Sequence, residues 1–375
     1  MREILLPVIF LMWLSASLNA QNAQNDRQIR SPTNESLQEV VSKLRVEQKL
    51  IGLGAMFMVD GKTIAVAVDG KRKKGGKAAL EVGDRWHIGS ITKSITATMI
   101  ARLVEREELT WSTTVADCFG ESMSIHADWQ IVTLAQLLTH TSGAPPNFPL
   151  TTQFKRPAEG KERMDARRAE VLAIFKKKPR SEAGESFKYS NVGFTIAGAM
   201  AEKQTGIPWE TLVRREIFNP LEIKQAGFGP PKDANQPRGH QNIGFFKRVA
   251  GVEEDNTPIM GPAGTVHMTL ADLCTFGNDH VRGETGKGKL LTAKSYRSLH
   301  TAKLNNYAFG WVVPKKNSLT DQRMIWHNGS NTLWYALLVL LPDRNAVISV
   351  TSNDGDIRRA EAAAFQIVKE FADQL

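Results

Sequence analysis

The chain has 375 residues, of which 42% are hydrophobic and 23% charged. These are globular proportions with enough length for a full core, and the absence of repeats and low-complexity tracts excludes a fibrous or repeat protein. The net charge of +9 comes largely from short clusters such as residues 71–77 and 176–180. Such clusters are typical of solvated loops, with attraction to anionic envelope polymers as the alternative. No nucleic-acid partner is expected, because no binding motif accompanies the charge.

The N-terminus has the pattern of a secretory signal peptide. Arg2 gives a basic start, residues 4–14 form an apolar run, and small residues lead to a cleavage site after Ala20. The apolar run is too short to span a bilayer, and no cysteine lies near the cleavage site to carry a lipid. We therefore expect residues 1–20 to be removed, residues 21–35 to be a flexible polar leader, and the protein to be secreted or periplasmic without a stable membrane anchor.

Strand patterns occur at both ends of the chain. After an amphipathic helix at Leu37 to Lys49, the runs GLGAMFMVDG and KTIAVAVDG are joined through Asp60 and Gly61, which predicts a β-hairpin. Strand-like runs return near the C-terminus before a last helix at Ile357 to Leu375; they are YAFGWVV, RMIWHNG, WYALLVLLP and AVISVTSN. Residues 111–264 between them have mostly helical patterns.

This order predicts an α/β fold of the α+β type, in which one antiparallel sheet flanked by helices is built from both chain ends. The folded domain covers residues 36–375, with an α/β lobe at about 36–110 and 265–375 and an inserted helical lobe at about 111–264. An exported compartment would permit a disulfide between Cys118 and Cys274, but their spacing does not decide the question, and two separately buried thiols are the favoured interpretation. Neither C-x-x-C nor H-E-x-x-H is present, so no metal or cofactor is expected.

The segment HIGSITKSITATMIARLVE contains a lysine in an unusual position. Lys93, Ala97, Ile100 and Val104 share one face of the predicted helix, and the other three are apolar. Either the lysine stem packs while its amine reaches water, or the amine is held dry for chemistry. Ser90, the only serine followed by lysine three residues later, lies at the predicted helix start. There its N–H lacks an intrahelical partner and can form half of an oxyanion hole, and desolvation lowers the pKa of the lysine toward that of a useful base.

A second motif, Tyr189-Ser190-Asn191, opens another predicted helix. A phenol beside an ammonium can have a lowered pKa, which makes Tyr189 a candidate general base. The alternative is a half-buried tyrosine that packs before the helix.

A third motif, His327-Asn328-Gly329, ends one predicted strand ahead of another. A substrate could pair along the edge of this strand. Gly329 allows backbone to approach closely, and the N–H of Ser330 can supply a second oxyanion donor. His140 and His267 are expected to be structural.

The three motifs, in this order, resemble the serine β-lactamase and penicillin-binding protein superfamily, in its class C and esterase-like branch. The resemblance runs from about residue 37 to the C-terminus and includes LLTHTSG, GPAGTVHMTLADLCTFG and AFGW. It implies a β-lactamase/transpeptidase-like fold in which Ser90 is acylated and Lys93 and Tyr189 share proton transfer. By the same resemblance, Asn191 contacts a substrate amide, and the amides of Ser90 and Ser330 hold the oxyanion.

One departure from that family concerns His327 and Asn328, which stand where lysine and threonine are usual. Because the lysine helps to hold the β-lactam carboxylate, acyl transfer is a stronger inference than β-lactam hydrolysis. The predicted function is an exported serine hydrolase that forms an acyl-enzyme with a D-alanyl cell-wall peptide, a β-lactam, an ester or a small amide. The alternative is a penicillin-binding or sensor-like protein that acylates with little turnover. The absence of G-x-S-x-G argues against an α/β-hydrolase.

Overall fold

The computed structural model of the chain describes residues 32–120, 125–244 and 246–375, so the predicted signal peptide and residues 21–31 of the predicted leader lie outside the described residues. The strands are β1 Gly52–Val59, β2 Lys62–Gly70, β3 Arg85–His87, β4 Gly227–Phe228, β5 His240–Ile243, β6 Phe246–Val249, β7 Val266–Thr269, β8 Ile325–Ser330, β9 Tyr335–Leu341 and β10 Ala346–Ser352. The helices are α1 Asn34–Glu47, α2 Thr92–Glu105, α3 Val115–Phe119, α4 Ala127–Gln130, α5 Leu134–Leu138, α6 Leu150–Gln153, α7 Lys161–Phe175, α8 Asn191–Thr205, α9 Trp209–Val213, α10 Gly261–Gly264, α11 Leu270–Gly283, α12 Ala293–Leu299 and α13 Ile357–Phe371.

The main sheet has five antiparallel strands in the order β2-β1-β10-β9-β8. The predicted hairpin between β1 and β2 is confirmed, because Asp60 and Gly61 both have positive φ, 50° and 79°, as a two-residue hairpin turn requires. The three last strands of the chain complete the sheet beside β1. The predicted antiparallel sheet built from both chain ends is therefore confirmed.

Helices cover both faces of this sheet. On one face α1 and α13 pack their apolar sides, including Val41 and Ile367, against Phe57 and its neighbours. On the other face α11 and α2 contribute to the larger core, with Met56 and Leu338 from the sheet. Strand β9 is buried at every residue, which explains its continuous apolar sequence.

A small second sheet has the strand order β3-β7-β4. Its central strand β7 pairs with β3, the strand that leads into α2. It also pairs with β4, which comes from the part of the chain with mostly helical patterns. The division into two lobes at residues 110 and 264 stays a prediction.

The predicted strand YAFGWVV is wrong. The chain turns tightly there, since the Ala308 N–H donates to the carbonyl of Trp311 and Gly310 has a φ of 77°. A Cβ at Gly310 would lie 2.7 Å from the carbonyl oxygen of Lys93, so the turn packs directly on α2. Only single bridges, such as Val312 with Trp326 on β8, remain of the predicted strand.

The two cysteines are free and buried, as the sequence favours. Among the residues that the structure describes, no helix combines the length and apolarity needed to cross a membrane.

Candidate active site

Ser90 lies in a tight turn between the small sheet and helix α2. After β3 the backbone reverses at Gly89, whose φ is 52°, and residues Gly89–Ile91 form a single 3-10 turn before α2 begins at Thr92. The sequence predicted Ser90 at a helix start, and the structure places it one short turn ahead of the α-helix. Its side chain is partly exposed, so the hydroxyl is accessible from outside.

Lys93 is fully buried in the first turn of α2, with no solvent-exposed surface. The alternative in which its amine reaches water is therefore wrong. The amine contacts three oxygens: Ser90 Oγ at 3.0 Å, Asn191 Oδ1 at 2.8 Å and the carbonyl oxygen of Ala263 at 2.6 Å. Burial holds the pKa of Lys93 well below its usual range.

The contacts of Lys93 indicate how a neutral amine is oriented. Carbonyl oxygens can only accept hydrogen bonds, so the two N–H groups of the neutral amine donate to Asn191 and Ala263. The nitrogen lone pair is then left for the third neighbour, the Ser90 hydroxyl. This arrangement would suit a general base beside its nucleophile.

Tyr189 lies beside both Ser90 and Lys93, just before helix α8. Its phenol interacts with the Ser90 side chain, and the Lys93 amine lies 4.9 Å from the centre of its ring. Burial raises the pKa of Tyr189, only partly offset by the hydrogen bond to Ser90. The lowering expected from a neighbouring ammonium is therefore wrong, because desolvation of the phenol itself outweighs it. Tyr189 enters the site as a protonated phenol.

Two glycines let the turn at Ser90 and the end of β8 meet backbone to backbone. A Cβ on Gly329 would lie 2.1 Å from the carbonyl oxygen of Ile88 and 2.4 Å from the nitrogen of Ser90. A Cβ on Gly89 would lie 2.3 Å from the nitrogen of Ser330. Such distances are shorter than any side chain tolerates, so both positions require glycine.

The same contact places two backbone donors side by side. Trp326 on β8 exchanges backbone hydrogen bonds with Val312, on the side away from β9. Since backbone groups alternate along a strand, the N–H of Ser330, four residues later, also faces this open edge. The N–H of Ser90 lies before the helix and has no intrahelical partner. The two N–H groups are therefore candidates for an oxyanion hole.

His327 on β8 is buried, and both of its ring nitrogens are engaged by the protein. Nδ1 lies 2.5 Å from the carbonyl oxygen of Asn328 and must carry the proton, so Nε2 accepts from the hydroxyl of Tyr307 at 3.0 Å. Burial lowers the pKa of His327 to about 3. The ring is a neutral group that braces the site, with no nitrogen left for a substrate in this arrangement.

Asn191 is the first residue of α8, whose N-cap is Ser190. Its Oδ1 accepts from Lys93, and its Nδ2 donates to Oδ1 of Asn147 at 2.7 Å. The predicted contact between Asn191 and a substrate amide stays a prediction.

Sequence reasoning missed two groups that complete the site, Tyr307 and the carbonyl of Ala263, and named a third, His140, only as structural. Tyr307 precedes AFGW, which was interpreted as a strand, and the carbonyl of Ala263 has no side-chain signal at all. His140, in the LLTHTSG motif, packs its ring 4.2 Å from that of Tyr189 and accepts from the Ser190 N–H at 3.1 Å. Burial lowers the pKa of His140, so it is a neutral group that holds Tyr189 in place.

The assembled groups have the chemistry of acyl transfer. The serine hydroxyl lies between a dry amine and a phenol, beside two backbone donors, and nothing in this set requires a metal. Within residues 32–120, 125–244 and 246–375, no cluster of three or more histidine, cysteine, aspartate or glutamate side chains is arranged to hold one.

Comparison with known proteins agrees with this geometry. The sequence profile of the family described as Beta-lactamase matches residues 37–371. Penicillin-binding protein 4 of Amycolatopsis lactamdurans is 26% identical over 344 residues, which cover 85% of this chain and 84% of that protein. Protein flp of Staphylococcus aureus (strain COL) is 22% identical over 331 residues, which cover 86% of this chain but only 64% of that protein. A solved structure of a class C beta-lactamase superposes with a TM-score of 0.74 at 18% identity, over 90% of this chain and 97% of that chain.

Proposed function

Because the chain belongs to the beta-lactamase family, we propose that it is an active serine hydrolase that works through an acyl-enzyme on Ser90. The observation that carries this proposal is the Lys93 amine, fully buried and 3.0 Å from Ser90 Oγ, with carbonyl acceptors for its two N–H groups. A lysine kept merely for stability has no reason to be dry, because burying an amine opposes folding at neutral pH.

In the proposed first step the Ser90 hydroxyl gives its proton to Nζ of Lys93, and Oγ bonds to the carbonyl carbon of the substrate. The carbonyl oxygen becomes an oxyanion, which the N–H groups of Ser90 and Ser330 stabilise. When the intermediate collapses, the bond to the leaving group breaks and the leaving group takes a proton. The phenol of Tyr189 is placed to donate it and is reprotonated from Lys93.

In the second step water replaces the leaving group. The Lys93–Tyr189 pair takes a proton from the water, whose oxygen bonds to the acyl carbon. The ester bond to Ser90 then breaks, and the pair returns the proton to Oγ of Ser90. A carboxylic acid and the free hydroxyl of Ser90 result. No cofactor enters either step.

Short-chain esters and small uncharged amides are the proposed substrates, ahead of β-lactams. The neutral ring of His327 stands where the family motif usually has a charged lysine. A charge-assisted hydrogen bond contributes roughly 1.5–3 kcal/mol, or about ten- to a hundredfold, and a β-lactam carboxylate would lose it here. An uncharged ester has no such contact to lose.

The similarity to a penicillin-binding protein supports a second candidate, in which the chain is acylated but turns over slowly. For either candidate we further propose export, which rests on the signal-peptide pattern of residues 1–20.

A hydrolysis panel tests the proposal. Purified protein is assayed with p-nitrophenyl acetate, a D-amino acid amide, a D-alanyl-D-alanine peptide and a cephalosporin, with Ser90→Ala as the blank. The proposal predicts steady ester hydrolysis that Ser90→Ala abolishes. A burst of one product per protein followed by almost no turnover would favour the second candidate, in which deacylation is slow, and rates equal to those of the Ser90→Ala blank would contradict both.

A further inference from the structure

Asp255 lies between the two backbone segments that supply the oxyanion donors. Its side chain is 4% exposed, and no part of the proposed chemistry uses it. Oδ2 lies 3.1 Å from Nε2 of His87, and Oδ1 accepts from Nδ2 of Asn331 at 2.7 Å. His87 ends β3, ahead of Ser90, and Asn331 directly follows Ser330.

The bond to His87 reaches the turn at Ser90. Nδ1 of His87 accepts from the backbone N–H of Gly89 at 3.1 Å, so its proton must be on Nε2, where it is donated to Asp255. The Asp255 carboxylate therefore sets the tautomer of the fully buried His87 imidazole. The imidazole in turn holds the backbone of Gly89 through its N–H. Gly89 precedes the nucleophile.

The bond to Asn331 reaches the other donor. Oδ1 of Asn331 accepts from the N–H groups of Leu333 and Trp334, both at 3.2 Å, and so shapes the turn from β8 to β9. Its Nδ2 is left for Asp255. One carboxylate thus connects the turn before Ser90 to the turn after Ser330.

Asn256, the residue after Asp255, contacts the backbone next to the group that accepts from Lys93. Nδ2 of Asn256 donates to the carbonyl of Gly264 at 3.1 Å, and the preceding carbonyl, of Ala263, accepts from Lys93. The Asn256 N–H in turn donates to Oδ1 of Asp255 at 2.7 Å. Asp255 and Asn256 therefore contact the turn before Ser90, the turn after Ser330 and the backbone beside the Ala263 carbonyl that accepts from Lys93.

We propose that Asp255 is a positioning residue that sets the separation of the two oxyanion N–H groups, acting through His87 on one side and Asn331 on the other. This proposal rests on the proposed function, since it concerns an oxyanion hole. Losing Asp255 would leave both donors present but misplaced. The expected cost is about ten- to a hundredfold in kcat/KM, less than the roughly hundred- to thousandfold cost of deleting a donor.

Asp255→Ala, Asn331→Ala and the double variant form the test. Each is assayed for kcat/KM on p-nitrophenyl acetate and for the affinity of an arylboronic acid, which bonds Ser90 Oγ as a tetrahedral anion. For Asp255→Ala we expect both quantities to fall by the same factor, whereas KM changes by less than about twofold, because the ground-state ester makes weaker use of the oxyanion donors. The double variant should lose little more than Asp255→Ala alone, since both changes break one link.

Asp279→Asn is the matched control. This buried carboxylate accepts from the Lys289 N–H and the Tyr296 hydroxyl, away from the turn at Ser90. It should lower Tm with kcat/KM within about twofold of wild type. If Asp255→Ala does not fold, Asp255→Asn, which keeps one acceptor oxygen, takes its place.

The two proposals fail in different ways. A wild type that neither hydrolyses the panel nor binds the boronic acid contradicts both. An active wild type, with Asp255 variants whose kcat/KM and boronic acid affinity match those of Asp279→Asn, overturns only the positioning role.

Discussion

The hydroxyl of Tyr307 donates to Nε2 of His327 across 3.0 Å, which leaves the imidazole neutral at the position where a charged lysine is usual in the family motif. Because burial lowers the pKa of His327 to about 3, acidification to pH 5 does not charge the ring. An exposed histidine, with a pKa near 6.5, would gain charge over the same range.

The preference for esters over β-lactams should therefore not depend on pH. We expect the ratio of kcat/KM for p-nitrophenyl acetate to that for a cephalosporin to stay constant within about threefold between about pH 5 and 8. The pH dependence of the shared base cancels in this ratio. A ratio that shifts toward the cephalosporin by tenfold on acidification would show that His327 becomes charged and binds the carboxylate.

Lys93 should set the acidic limb of the pH–rate profile. It acts as a base only when neutral, and burial lowers its pKa, so kcat/KM should rise with pH and level off well below the pH at which an ordinary lysine loses its proton. Lys93→Arg keeps the charge permanently, so we expect a loss of at least about a hundredfold at every pH. Lys203→Arg, on the exposed side of α8, is the control and should match wild type. A Lys93→Arg enzyme with near-wild-type rates would exclude the lysine as base.

Tyr189→Phe should remove a proton donor without removing packing. Phenylalanine keeps the ring against His140 and loses only the hydroxyl that meets Ser90. We expect kcat/KM to fall by about a hundredfold, with Tm little changed. The remaining rate should depend on leaving-group basicity more steeply than in wild type, because a poor leaving group needs the proton most. Equal rates for Tyr189→Phe and wild type on a small amide would reduce Tyr189 to a packing role.

Gly329→Ala should separate the two backbone donors. The added Cβ would lie 2.1 Å from one backbone oxygen, so β8 must move away from the turn at Ser90. We expect a loss of kcat/KM of at least about a hundredfold, comparable to losing an oxyanion donor. Gly83→Ala, where no atom lies within 4 Å of the new Cβ, is the matched control and should retain full activity. If both variants behave alike, the close contact between β8 and the turn is not needed.

Local sequence patterns were sufficient for much of the fold and for the first contact of the site. Asp60 and Gly61 specify a turn through their own backbone preferences, and Ser90 and Lys93 are brought together by one helical turn. These relationships span two to four residues, so the sequence carries them directly.

The remaining contacts depend on residues far apart in the chain. Ala263 meets Lys93 through a backbone carbonyl, which no side-chain pattern marks, and Asp255 lies 168 residues from His87. The segment around Phe309 is apolar enough for a strand, yet Gly310 turns it back onto α2. The pKa of Tyr189 moved opposite to expectation because burial of the phenol itself raises it, and that burial depends on residues far apart in the chain.

The central claim is that Ser90 becomes acylated, and intact-protein mass spectrometry after incubation with a fluorophosphonate tests it most directly. The account predicts one covalent adduct per molecule of wild type, peptide mapping that places it on Ser90, and no adduct on a folded Ser90→Ala variant. An adduct that persists on Ser90→Ala would contradict it. A folded wild type that stays unmodified would contradict it as well.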